Sequence, residues 1–301
     1  MKEFVVRVLF FFACVIAIDF AFGQFFSFLR VHARGGSTAN CEYIANRSED
    51  DIIILGSSRA THHYVPQIIE DSLALSCYNC GEEGNGVVLA YGRLKMLTDR
   101  YKPKLVLFEV TPVYDYGDKE LNNKYLGYLR AYYYKEGIRG IFNDFDGKFS
   151  RIKMSSKMYQ NTSRLLPDLV DNVIYRDNHL GFEPLHGQMT KENFGMLKEG
   201  QIAIDSLKLS YLEKLIVLCK GKDIPLLFMV SPVFHGVDLM GDYEPALELC
   251  EQYGIEIGNY KDDSFISNRV EFFQDAEHLN QAGAIVYTQR IIPLIKRSIQ
   301  Q

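Results

Sequence analysis

The chain has no excess of basic charge, no internal repeat, no low-complexity tract and no second C-x-x-C pair. Its 33 Lys and Arg against 38 Asp and Glu leave a formal charge of -5, which excludes the broad positive field that a phosphate backbone demands; nucleic acid is not an expected partner. Six cysteines stand at positions 14, 41, 77, 80, 219 and 250. With a single C-x-x-C, at Cys77 and Cys80, there is no zinc-ribbon spacing, and a thioredoxin-like pair would open a helix, whereas this one ends a predicted strand. Small buried side chains are the favoured reading; an oxidised Cys77–Cys80 link in an exported protein is the alternative. What the chain does have is apolar material, 47% of 301 residues, enough for one large domain or two small ones.

Much of that apolar content is placed at the start. Residues 4–29 carry only Arg7 and Asp19 as charged side chains, about the length needed to cross a hydrocarbon core of roughly 30 Å. Such a run suits a transmembrane anchor (1–30) and also admits a cleaved signal peptide. The absence of a small-x-small site before Gly23, and the continuation through Phe25, Phe26 and Phe28, favour the anchor. Lys2 and Arg7 would stay in the cytoplasm and the remainder would face the periplasm or the outside, with Arg30 and Arg34 diluting that bias. Residues 31–50, polar and rich in Gly, Ser, Asn and Arg, read as a linker, with the folded body starting near Cys41.

From residue 51 the chain alternates short apolar runs with helical patterns. Strands are predicted at 52–55, 75–78, 104–110 and 225–230, with a weaker one at 255–257; helices at 86–100, 201–220, 244–253 and 281–299. Runs that are apolar throughout are buried on both faces, so the expected fold class is three-layer α/β/α, a doubly wound and mainly parallel sheet. Residues 113–198 break the alternation and hold many of the tyrosines. They read as a helical insert leaving the sheet at a strand's C-terminal end, where it could form a lid or substrate wall.

Two short motifs carry chemistry. The apolar run 52–55 stops at Gly56-Ser57-Ser58, which puts Ser58 on a tight strand-to-helix turn with its hydroxyl exposed, although Ser is also a common helix N-cap. More than two hundred residues later, Asp275-Ala-Glu-His278 precedes the last helix, so a short turn can present both side chains on one face. A carboxylate there can hold one imidazole nitrogen while the other meets a serine. Asn143-Asp-Phe-Asp-Gly147 lacks the spacing and terminal glutamate of a calcium loop, and His62-His63 has no carboxylate partner, so no metal site is expected. His186 reads as a turn residue, and Ser231 as a pocket-wall residue at the end of its strand.

On these motifs the chain resembles the SGNH/GDSL hydrolase superfamily. Gly56-Ser57-Ser58 is similar to the first block, Asp275-x-x-His278 to the last, and Asn79-Cys-Gly81-Glu-Glu-Gly84 to the second, whose glycine N–H joins the oxyanion hole. The resemblance implies a flavodoxin-like sheet, Ser58 as nucleophile, His278 as general base and Asp275 as its orienting group, with neither metal nor organic cofactor. It implies oxyanion donors among Ser58, Gly81, Gly84 and Asn79. Beside it, Thr111 and Ser231 read as substrate contacts, and Arg59, unusual next to the serine in this family, reads either as a contact to an anionic substrate group or as half of a salt bridge within the first helix. One departure stands out: where the third block supplies an asparagine donor, this chain has Glu109-Val110-Thr111-Pro112. Membrane-anchored relatives of this kind imply an esterase or O-acyltransferase acting on acylated polysaccharide or another ester, with a membrane-bound O-acyltransferase as a partner. The alternative is a non-catalytic glycan-binding or scaffold protein that assists such an acyltransferase.

Overall fold

The computed structural model describes residues 1–117, 122–147, 149–174, 179–190, 203–235 and 243–300. Five strands, β1 (Ile52–Gly56), β2 (Cys77–Asn79), β3 (Leu105–Glu109), β4 (Leu226–Val230) and β5 (Glu256–Asn259), form one parallel sheet in the order β2-β1-β3-β4-β5. This is the flavodoxin-like order, and the expected fold class is what the chain adopts. The uniformly apolar strands explain it: Ile53, Leu55, Val106 and Phe108 point into one core layer, and Ile52, Ile54, Leu105 and Leu107 into the other. A strand apolar on both faces needs helices on both faces.

Before the sheet come α1 (Lys2–Val31) and α2 (Gly36–Asn46). The first layer is covered by α2, α5 (Val87–Thr98), α12 (Ser206–Gly221) and α13 (Glu244–Tyr253). The second is covered by α3 (Ser58–His63), α4 (Pro66–Leu73) and α14 (Gln281–Ile299). Cys77 packs into one layer and Cys80 into the other, so the sheet itself separates the two sulfurs; all six cysteines are free thiols.

Two expectations are corrected. Residues 31–50 are not a free linker, because α2 buries Cys41, Ile44 and Ala45. Its polar residues are consumed internally: the Thr38 hydroxyl donates to Asp168 at 2.9 Å and the Tyr132 hydroxyl donates to Glu42 at 2.6 Å. The insert is helical as expected, comprising α6 (Pro112–Asp115), α7 (Asn122–Leu129), α8 (Ile138–Phe145), α9 (Ser150–Lys153), α10 (Lys157–Asn161) and α11 (Leu165–Val173). Yet α7 and α8 pack on α5, and Leu129, Tyr132, Ile141 and Phe142 extend the first core layer instead of covering the strand ends. The wall beside the strand ends is formed instead by the last described part of the insert, a 3-10 turn (His179–Gly181) and the return segment that follows it to residue 190. There Glu183 N–H donates to Thr61 O at 3.1 Å and Gln281 N–H donates to Leu185 O at 2.7 Å.

The chain runs from β1 outward to β2 and then crosses back to β3. The switch point, where open α/β sheets gather ligands, therefore lies between the C-terminal ends of β1 and β3.

Candidate active site

Ser58 stands at that switch point. Gly56, the last residue of β1, has φ +145, and a Cβ there would come within 2.8 Å of Glu109 O and 2.9 Å of Ala60 Cβ, so only glycine fits the turn. Ser57 holds the N-cap position of α3 without a side-chain capping bond, and Ser58 opens the helix. The Ser58 hydroxyl does not cap either. Its Oγ lies 2.9 Å from His278 Nε2.

His278 is fixed from its other side. The chain around it is a tight loop closed by the antiparallel bridge Phe273–Leu279 and by Gln274 N–H donating to His278 O at 2.9 Å. Asp275 Oδ1 accepts the backbone N–H groups of Glu277 and His278, each at 2.9 Å, and both carboxylate oxygens lie 3.0 Å from His278 Nδ1. Burial pushes the Asp275 carboxyl up, but the bond and charge of His278 and the two backbone donors together outweigh it and hold the group below its usual value of 3.8. An ionised Asp275 can only accept, so Nδ1 carries the proton, Nε2 is the acceptor, and Ser58 donates its O–H. That is the hydrogen-bond polarity a general base needs. Asn280 ends the loop: its Oδ1 accepts Gly283 N–H at 3.0 Å as the cap of α14, and its Nδ2 donates to Glu271 O at 2.9 Å.

Behind this relay lies a second, buried network that sequence reasoning missed. Leu279 N–H, one residue past His278, donates to His63 Nε2 at 3.0 Å. His63 Nδ1 is 2.7 Å from Ser231 Oγ, which donates to Glu109 Oε1 at 2.7 Å. Glu109 also accepts Ser231 N–H and the Tyr64 hydroxyl, and pairs with Arg59 at 3.2 Å, both side chains almost wholly buried. Burial, then the Arg59 charge, depresses His63 far below 6.5, which keeps it neutral and leaves Nε2 free to accept. His62 is also lowered by burial, and its Nδ1 sits 2.7 Å from Glu183 O. Two neutral imidazoles thus flank His278, with ring centroids 6.0 and 6.2 Å away. One signal was available: a glutamate at the end of an apolar strand and an arginine directly after the serines are a buried charge and its counter-ion.

Several expected contacts are redirected. Arg59 does not face a substrate; it spends its donors on Tyr243 Oη at 2.9 Å, on Ser231 and on Glu109. Ser231 is fully buried, its hydroxyl held between His63 and Glu109. Asn79 is consumed locally: its Nδ2 donates to Ala60 O at 2.7 Å and to Tyr64 O at 3.2 Å, and its Oδ1 accepts Gly81 N–H at 2.9 Å. Neither Asn79 nor the Gly81 N–H is therefore available to an oxyanion. Gly84, at φ +62, serves the turn in which Asn85 N–H donates to Glu82 O.

Thr111 is better placed. Gly56 pairs with Glu109 in the sheet, so Ser58 and Thr111 each stand two residues past a matched pair of strand ends. Thr111 N–H donates to Asp115 at 2.6 Å, but its buried hydroxyl has no hydrogen-bond partner among the described residues. Burial raises Asp115 to about 8.

One helical turn from Ser58, a cleft of about 470 Å³ opens between α2, the β2–α5 loop and the return segment. Its lining is largely polar, including Asn40, Thr61, Glu82, Glu83, Glu183 and His186. Among the described residues no His, Cys, Asp and Glu cluster could hold a metal ion.

No family model matches the sequence, and no curated protein does. Solved structures do show likeness. A proposed lipolytic protein of the G-D-S-L family from Desulfitobacterium hafniense is 8% identical, with 81% of this chain and 99% of that one covered at a TM-score of 0.39. A proposed acylhydrolase from Bacteroides fragilis is 12% identical, with 87% and 95% covered, also at 0.39. A gut microbial diltiazem-metabolizing enzyme is 11% identical, with 83% of this chain and 47% of that one covered at 0.36. At these values it is the geometry of Ser58, His278 and Asp275, not the likeness, that carries a functional reading.

Proposed function

We propose that this protein is a serine ester hydrolase or acyltransferase of the SGNH type, held at a membrane with its folded body outside the cytoplasm. The observation that carries this is the continuous hydrogen-bonded line from Ser58 Oγ through His278 to Asp275 at the switch point of the sheet. Ser58 Oγ attacks the ester carbonyl while His278 Nε2 takes its proton, and Asp275 stabilises the imidazolium. Collapse of the tetrahedral intermediate expels the alcohol, which receives that proton from His278 and leaves an acyl-Ser58. Water, or a sugar hydroxyl, then gives its proton to His278 and attacks the acyl carbon, and collapse releases the acyl product as His278 returns the proton to Ser58 Oγ. The oxyanion is met by Ser58 N–H, one of the first amides of α3 and without an intrahelical partner, and by the Thr111 hydroxyl.

The polar cleft that begins at Thr61, one turn of α3 from Ser58, supports a hydroxyl-rich substrate over a long acyl chain, which favours an acylated exported glycan. The anchor reading rests on α1, the one helix among the described residues long and apolar enough to cross a membrane. A second reading, a glycan-binding protein that assists a membrane-bound O-acyltransferase, is favoured by a single observation: Asn79 and Gly81 are both withdrawn from the oxyanion position. Release of acetate from acetylated oligosaccharides by the full chain in detergent separates the two. Turnover that disappears in Ser58→Ala supports the enzyme; turnover equal in both chains overturns it.

A further inference from the structure

In α11 the usual polarity of a surface helix is reversed. Asp168 and Asp171 face inward, where Thr38 Oγ1 donates to Asp168 at 2.9 Å and Thr38 N–H donates to Asp171 at 3.2 Å. Leu166, Leu169, Val170 and Val173, spaced i, i+3, i+4 and i+7, form the outer stripe and are 74, 40, 40 and 80% exposed. A helix in water turns such a stripe toward the core. The neighbouring α9 region adds Phe149 and Ile152, 70 and 67% exposed, flanked by the exposed Arg151 and Lys153, cations suited to the headgroup level. Across the rest of the described body, outside the insert and α1, only Ile204, Val217, Phe265 and Val270 are large apolar side chains left exposed, and they are scattered. A concentrated exposed apolar surface marks contact with something that is not water.

The position of α1 identifies what that is. Its 30 residues span about 45 Å at 1.5 Å per residue, more than a hydrocarbon core of roughly 30 Å requires. The excess is bonded to the insert. Asp19, the one acidic residue in the middle of the apolar run, accepts Lys157 N–H at 2.8 Å, Met158 N–H at 3.3 Å and the Ser156 hydroxyl, all at the start of α10. At Gly23 a Cβ would lie 2.5 Å from Lys157, so the two backbones touch there. Farther along, Asn172 Nδ2 of α11 donates to Leu29 O at 2.7 Å. Meanwhile the outer side of this same stretch stays apolar, with Phe22, Phe25 and Phe28 more than half exposed. Between Arg7 and Asp19, α1 is apolar on every side and almost wholly exposed, and needs hydrocarbon around it. Both α10 and α11 pack on α1, so the outer stripe of α11 adjoins that surface.

We propose that the insert is a membrane seat: the outer stripe of α11 and the neighbouring Phe149 and Ile152, with the C-terminal half of α1, are immersed in the leaflet from which the folded body emerges. The proposal rests on the reading of α1 as an anchor. It makes the body a rigid continuation of the span instead of a domain on a tether. Because α2, which begins five residues after α1, supplies Asn40 to the cleft, the seat also holds the Ser58 site close to the bilayer surface.

The chain contains no tryptophan, so a single introduced indole reports one position. Phe10→Trp, Leu166→Trp, Val173→Trp and Phe265→Trp, each in the full chain, would be reconstituted in phosphatidylcholine and phosphatidylglycerol vesicles with bromines at the upper acyl chain. Phe265 lies on the other side of the sheet and serves as the aqueous control. The proposal expects quenching of about twofold or more at 166 and 173, as for side chains about 5–10 Å below the headgroup boundary, with little at 265. Quenching at 10 with 166 and 173 behaving like 265 overturns the seat while leaving the anchor intact. No quenching at 10 overturns the anchor and the seat together.

Discussion

His63 Nε2 accepts the Leu279 N–H at 3.0 Å, so the backbone immediately after His278 hangs from a buried, neutral imidazole. The hook is itself anchored through Ser231 to Glu109. His63 is a positioning residue, touching neither substrate nor reacting atoms.

Replacing it should therefore slow chemistry more than it weakens binding. In His63→Gln the orphaned Leu279 amide and the misplaced His278 cost about 1–3 kcal/mol. We expect kcat to fall about tenfold or more while KM changes little, each 1.36 kcal/mol being tenfold. Steady-state kinetics on a small acyl ester, with a thermal melt to confirm folding, checks the split. A purely structural His63 would lower active enzyme concentration, and hence kcat, only in proportion to unfolded protein.

The same histidine shapes stability against pH. Its folded-state pKa lies below the unfolded value of 6.5, so the unfolded chain binds the proton first and the contribution of His63 is full above about 6.5 and lost as pH falls toward the folded pKa. Urea melts between pH 7 and 5 should show stability declining in the native chain, and declining less steeply in His63→Gln. Equal slopes would contradict the assignment.

Arg59 and Glu109 form a buried pair, so removing either partner alone strands a charge. Arg59→Met or Glu109→Gln should each cost about 3–5 kcal/mol of unfolding free energy, with the double variant less damaging than the two losses added. Denaturant titration measures this. If Arg59→Met instead raised KM with stability intact, Arg59 would be a substrate contact after all.

Thr111 offers a sharper dissection. Its hydroxyl has no partner among the described residues, so Thr111→Val should leave stability within about 1 kcal/mol. If the hydroxyl meets the oxyanion, kcat falls about 100-fold. Unchanged kcat would leave Ser58 N–H as the principal donor.

The parallel sheet and the Ser58–His278–Asp275 line were legible because each rests on local signals: uniformly apolar strands, a Gly-Ser-Ser turn, and two residues one loop apart; the strand order came only with the family resemblance. What escaped was set by contacts distant in sequence. Arg59 is a plausible anion binder until β3 brings Glu109 beside it fifty residues on. Asn79 and Gly81 match an oxyanion block in sequence, but the short β2–α5 turn makes them bond each other. Residues 36–46 look like a polar stalk because the partners that absorb their polarity, Tyr132 and Asp168, lie in the insert. Likewise the insert's tyrosines indicate packing without saying against what.

The most direct test of the account is whether Ser58 is an activated nucleophile. Intact-mass analysis of the full chain in detergent, after incubation with a fluorophosphonate, should show one adduct, absent in Ser58→Ala and slowed in His278→Ala. A native chain left unmodified under conditions that label a control esterase, or an adduct that persists in Ser58→Ala, would contradict it.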